Sequence, residues 1–360
     1  MRGVEVLSFL VSTAVLYSVY LILASSMEIE YGELGLPSFA KAAFFALGAF
    51  AVGALTVRLG ALLTGVALEG EFKLVSYRYA TLISASVARN PALGLALFAV
   101  PLLVALPLAV LMGLAASYPA LRLREDHLAI ALIAFSESVR VVARNYEPLV
   151  GGTFGAGVVD FLAWLRSPWK ELALLAVALA MGFGAWLVEY RISTSPLGRV
   201  LRAVRDDEVA AQAYGMDVAR LRAQILALGS AMAAVAGVLY AFYAGTVNPD
   251  DFTVSRTFIV VLMVVVGGRG NPFGPPVGAA VYLLLDRGIT LVKHYIPVPF
   301  DVNYLSYILM GLLLILLLLK RPGGIVPERP LLTLRRALPQ RGSAAAPQQR
   351  GAEGGGPAGT

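Results

Sequence analysis

The sequence predicts an all-α polytopic membrane protein of about eight or nine transmembrane or re-entrant helices. Three observations carry that expectation. Hydrophobic residues fill 58% of the 360 positions and charged residues 14%, against roughly a quarter charged in a soluble domain. Apolar runs near the length needed to cross about 30 Å of hydrocarbon recur along the chain. The net charge of +6 is gathered into a few polar islands, so it bears on topology and not on nucleic acid.

The runs cover roughly 5–26, 37–58, 92–118, 127–143, 169–190, 224–246, 257–267, 275–293 and 302–319. Only Arg2 precedes the first run, and Ser25-Ser26-Met27 leads straight into Glu28 with no small-residue cleavage site. That run is expected to be a retained span. The stretch 59–91 carries Glu69, Glu71, Lys73, Arg78 and Arg89 and reads as a loop with an amphipathic helix. Segment 257–267 is long enough for only about half of the hydrocarbon core. It runs into Gly267-Gly268-Arg269-Gly270-Asn271-Pro272-Phe273-Gly274-Pro275-Pro276, where no helix can persist. Broken helices survive at membrane depth only where protein or a water-filled cavity surrounds the freed backbone. Residues 257–290 are therefore a candidate pathway lining.

The island 195–215 must lie in water beside the membrane. Ser195-Pro196 starts a helix with a hydroxyl N-cap and a proline at the first helical position. Leu197, Val200, Leu201 and Val204 share one face. Asp206 and Asp207 can cap a second short helix over 208–214, and Gly215 suits its left-handed end.

Arginine placement sets orientation. Arg191, Arg199, Arg202, Arg205, Arg220 and Arg222 mark the loop 191–222 as cytoplasmic, and Lys320 with the arginines beyond it marks the C-terminal tail likewise. Counting spans backward puts the N-terminus outside. The expected organisation is a membrane domain over 1–325 and a disordered cytoplasmic tail over 326–360, where Ala, Gly, Pro, Gln and Arg cannot bury enough apolar surface to order the chain.

Five blocks, in order, resemble the membrane subunits of branched-chain amino acid ABC importers, most closely the LivM type and more distantly the LivH type. They are 120–140 (ALRLREDHLAIALIAFSESVR), 151–155 (GGTFG), 198–215 (GRVLRAVRDDEVAAQAYG), 266–279 (VGGRGNPFGPPVGA) and 321–325 (RPGGI). The resemblance implies a permease in the cell membrane. It would pass branched-chain or other hydrophobic amino acids delivered by an extracytoplasmic binding protein. Implied partners are ATP-binding cassette ATPase subunits, which would hold ATP and magnesium, a second LivH-type permease, and membrane lipid. The resemblance places the ATPase contact on Asp206, Asp207, Glu208, Ala210, Ala211 and Gly215.

The chemistry of the chain agrees with a subunit that is not an enzyme. It has no Gly-x-x-x-x-Gly-Lys-Ser/Thr loop to cradle phosphate. With no cysteine, and with His127 and His294 far apart, no metal site or other cofactor is expected on this chain. Energy must come from a partner or an ion gradient. Candidate pathway residues are Ser38, Lys41, Phe45, Glu137 and the glycines Gly267, Gly268, Gly270, Gly274 and Gly278. Each has a plainer reading. Lys41 can snorkel to the interface, Glu137 can pair with Arg140, and the glycines can serve close packing. Glu189 reads as interfacial, and Asp286 and Arg287 as residues finding the water edge. Urea or short amides remain an alternative cargo, and a self-sufficient secondary transporter an alternative class.

Overall fold

The computed structural model describes residues 2–122, 125–292 and, between 308 and 328, all but 310, 313, 317, 318 and 322. Residues 329–360, which hold most of the expected tail, lie outside the described residues.

Helix α1 (Arg2–Met27) continues as a π-helical turn over Glu28–Glu33. Then come α2 (Lys41–Thr64), α3 (Phe72–Val87), α4 (Pro91–Arg122), α5 (Glu125–Asn145) and the single turn α6 (Glu147–Val150). Strand β1 (Ala156–Gly157) precedes α7 (Trp169–Thr194), α8 (Pro196–Asp206), α9 (Glu208–Ala213) and α10 (Val218–Ala244). Strand β2 (Thr246–Val247) pairs antiparallel with β1, Ala156 opposite Val247. The pair α11 (Val254–Gly267) and α12 (Gly274–Val292) follows, and the described residues between 308 and 320 are helical.

Among the described residues five helices are long and apolar enough to cross a membrane: Ser8–Glu33, Lys41–Thr64, Pro91–Pro119, Trp169–Thr194 and Val218–Ala244. The chain is an all-α, multi-pass membrane protein. The expected spans at 127–143 and 275–293 are both helical; α5 is the less apolar because it carries Glu137, Arg140 and Arg144, while α12 carries Asp286 and Arg287 in an otherwise apolar helix.

The core lies between α2 and α10. Buried residues make up 78% of the apolar window of α2 and 72% of that of α10, against 22% for α4 and 11% for α7. Glycine makes this seam possible. A Cβ on Gly48 would collide with the Ala234 carbonyl, and one on Gly237 with the Phe45 carbonyl. In lipid, such small residues let backbones approach and gain dispersion contact. α4 and α7 instead turn Leu103, Leu111, Leu179 and Phe183 outward, as hydrocarbon-facing helices do.

The bundle has two polar ends. One gathers α3, α6 and the β1–β2 ribbon. The other gathers the π-turn, α8, α9 and the segment 323–328. Ser8 Oγ donates to Glu171 Oε2 at 2.9 Å, and Ser193 Oγ to Glu33 Oε1 at 2.6 Å. α1 and α7 therefore run side by side from the ribbon end to the α8–α9 end, and α10 returns.

Two sequence expectations need correction. The first span does not stop at residue 26: Glu28, Glu30 and Glu33 are fully buried in its π-helical extension. The membrane unit also passes residue 325. Val326 N donates to Gly267 O at 2.9 Å, Asn271 Nδ2 to Pro327 O at 2.9 Å, and Arg205 pairs with Glu328 at 2.9 Å. Among the described residues the packed unit reaches Glu328.

Candidate functional site

At the α8–α9 end, Ser195 Oγ accepts from Leu197 N at 3.1 Å and Gly198 N at 3.4 Å. This cap starts α8, which buries Leu201 and Val204. Asp207 Oδ1 accepts from Ala210 N at 2.9 Å and caps α9. Asp206 does not share that role. It closes α8 and pairs with Arg205 at 3.3 Å. Burial alone would lower the Arg205 pKa, but Glu328 and Asp206 beside it hold the group above its ordinary value. Gly215, at φ +82°, turns the chain out of α9, a conformation that other residues adopt only with strain.

Ala210 and Ala211, which the resemblance puts at the ATPase contact, are not presented to solvent. Ala211 is buried, and Ala210 is partly covered. Glu208 turns back to Arg222 at 2.7 Å, which packs α9 against α10. The outward face is Val209, Gln212, Ala213 and Tyr214, with Val209 77% and Tyr214 86% exposed. The six-residue helix and its C-terminal cap residue Tyr214 thus project two large side chains from a mount capped by Asp207.

Beneath this end lies a buried polar layer that the sequence did not reveal. Glu28 Oε1 accepts from Gly270 N at 2.6 Å. Glu33 takes Ser193 and, at 2.8 Å, Arg202. Glu30 and Lys41 form a 2.7 Å ion pair with both side chains sealed from solvent, and Ser38 lies buried beside them. Lys41 therefore neither snorkels nor lines a cavity. Glu189, expected at the interface, is fully buried and has no hydrogen-bond partner among the described residues. The one available sequence signal was three glutamates directly after an apolar run; Glu30 meets the nearby Lys41, but nothing local ties Glu28 and Glu33 to partners 160 or more positions away.

The candidate pathway residues do not share one cavity. Glu137 pairs with Arg140, which also meets Asp250. Phe45 packs on Tyr240 and Phe252, with ring centroids 5.4 and 5.1 Å apart. The glycines of 267–278 serve close packing. A Cβ on Gly267 would meet the Gly274 carbonyl, on Gly268 that of Val326, and on Gly278 that of Met263. Gly270 holds off Glu328, and Gly274 the Gly268 carbonyl. The flanks of this segment do line a space. A cavity of about 710 Å³ opens between α1, the end of α10, the start of α11 and the second half of α12, and Arg256, Asp286 and Arg287 are in its wall.

Long apolar helices packed through glycine define a multi-pass membrane protein. The chain belongs to the family described as branched-chain amino acid transport system / permease component, which matches residues 9–318. It is 35% identical to the probable branched-chain amino acid transport permease protein LivM of Methanocaldococcus jannaschii, over 88% of this chain and 93% of that one. It is 27% identical to the high-affinity LivM permease of Escherichia coli, over 90% of this chain and 72% of that one. A LivH permease of Salmonella typhimurium is 27% identical over 56% of this chain and 65% of its own. No solved structure matches. The family is one of transport permeases, not enzymes, and its LivM and LivH members point to a second permease beside this one.

Proposed function

We propose that this chain is one permease of an ATP-driven importer in the cell membrane. It translocates branched-chain amino acids handed over by an extracytoplasmic binding protein. Its N-terminus and β1–β2 ribbon face outward, and α8, α9 and the C-terminus face the cytoplasm. ATP and magnesium bind partner ATPase subunits; this chain transmits their motion. The observation that carries the reading is the exposed face of α9. Val209 and Tyr214 stand in water on a helix whose remaining polar contacts are already satisfied within the chain. Such an apolar projection, held without freedom to collapse, fits a groove in another protein. The buried Ala211 and the paired Glu208 serve as the mount, while Gly215 lets the chain leave it.

The test uses the full transporter, co-expressed with its ATPase and second permease subunits and placed in proteoliposomes. Wild type should take up L-leucine only with ATP and the binding protein present. Val209→Asp with Tyr214→Ala should leave insertion intact and cut substrate-stimulated ATP hydrolysis about tenfold or more, as loss of central apolar contacts does at interfaces. Full stimulation in that double variant would remove α9 from the coupling route.

A further inference from the structure

We propose that the cavity between α1, α10, α11 and α12 is a site for a free zwitterionic α-amino acid with an apolar side chain. Arg256 receives the carboxylate, and Asp286 the ammonium group. The proposal rests on the importer reading above and says where the cargo sits within this chain.

Charge inside a membrane protein is costly, and its presence in a cavity wall points to a ligand or an ion route. Arg256 stands in the first turn of α11. Its Nε donates to Asp251 O at 3.1 Å, and its Nη1 to Tyr20 Oη at 3.2 Å. These contacts aim the guanidinium through a carbonyl and a phenol, neither of them charged. Among the described residues it makes no ion pair within 4.0 Å. A planar guanidinium with donors to spare matches a carboxylate in two-pronged fashion. The backbone adds to this. Thr253 precedes α11 without giving the first turn a side-chain hydrogen bond, so the positive end of a 14-residue helix lies at the level of Arg256. Half-length helices whose N-termini point at a site of this kind suit an anionic substrate group.

The other pole has its counterpart. Asp286 is in the same cavity wall and close enough to both Arg256 and Arg287 to feel their charge. Arg287 is held by Tyr243, whose Oη accepts from Nη2 at 3.4 Å. Tyr20 and Tyr282 meet edge-on with centroids 4.9 Å apart and narrow the space beside Arg256. Leu16, Phe258 and Leu262 supply hydrocarbon wall. A cavity of about 710 Å³ lies within the usual range for small-molecule sites, which combine apolar walls with a few placed polar groups. Urea or a short amide has no charged pole for either residue, whereas an amino acid leaves neither end of its own dipole unpaired in the membrane.

The experiment uses the assembled transporter in nanodiscs without its binding protein, so that selectivity read out belongs to the membrane subunits. Diazirine-bearing leucine is photolysed in the presence of the complex, and adducts are mapped by peptide mass spectrometry. Adducts are expected on the α11 and α12 walls. L-leucine should compete them away. Isoamylamine, which lacks the carboxylate, and 4-methylpentanoate, which lacks the ammonium group, should not. Arg256→Gln and Asp286→Asn should each lower labelling about tenfold or more, the scale of losing one partner of a desolvated charge pair. Arg256 also braces Tyr20 and Asp251. If Arg256→Gln fails to assemble, the near-isosteric Asp286→Asn decides alone. Labelling unchanged by Asp286→Asn, or adducts confined to other helices, overturns the site while leucine uptake by wild type keeps the importer reading intact. Wild-type complex that takes up no leucine with its binding protein and ATP overturns the importer reading itself.

Discussion

Lys41–Glu30 and Arg222–Glu208 both close at 2.7 Å. The first is sealed between α1 and α2, with side chains 1% and 0% exposed; the second braces α9 in water, with side chains 20% and 38% exposed. Equal distance does not make them equal in energy. In the buried pair, each ion has lost its hydration and depends on the other, so removing one partner strands a charge. In the exposed pair, water and salt take over when the contact opens. The buried pair ties the π-turn of α1 to the start of α2, where the chain reverses. The exposed pair steadies α9 beneath its apolar outer face.

The largest effect that separates the two is expected from Lys41→Met. Leaving Glu30 unpaired should cost about 3–5 kcal/mol of stability, read as lost thermal stability of the purified protein in nanodiscs. Adding Glu30→Gln should restore most of it, because no charge is then stranded. A single variant as stable as wild type would mean that water reaches Glu30, and the comparison would collapse. Ser193→Ala probes a neighbour in the same buried layer. It removes the 2.6 Å bond to Glu33 but leaves the Arg202 pairing, and about 1–3 kcal/mol should be lost. The smallest effect is expected at α9. Arg222→Gln should change stability by less than about 1 kcal/mol, and the difference should shrink further in high salt. A larger loss would show that α9 is an integral part of the bundle, not a mount placed upon it.

Much of the local structure was legible. Ser195-Pro196, Asp207 and Gly215 mark the ends of α8 and α9 through short-range hydrogen bonding and backbone preference, which act within a few residues. The glycine-proline run at 267–276 breaks the helix for equally local reasons. Glu137 and Arg140 meet because three residues make most of a turn. The helical outline of the spans follows from apolar length, although α5 shows how a few charges blur it.

The partners of the buried charges were not legible. Lys41 reads as a residue able to snorkel because the run around it is apolar; it stays inside because Glu30 stands opposite on a different helix. Glu28 and Glu33 look like the polar end of a span until Gly270 folds against the first and Ser193 and Arg202 against the second. The outward face of α9 likewise depends on which side α10 covers. What the sequence determined by itself was membrane residence, helix content, the capped island and the family, since each is written in composition or in motifs of neighbouring residues. Which glycines touch, which acids are sealed and which three charges surround the cavity were decided only by tertiary structure, because those contacts join residues far apart in the chain and their energies arise only once water has been excluded.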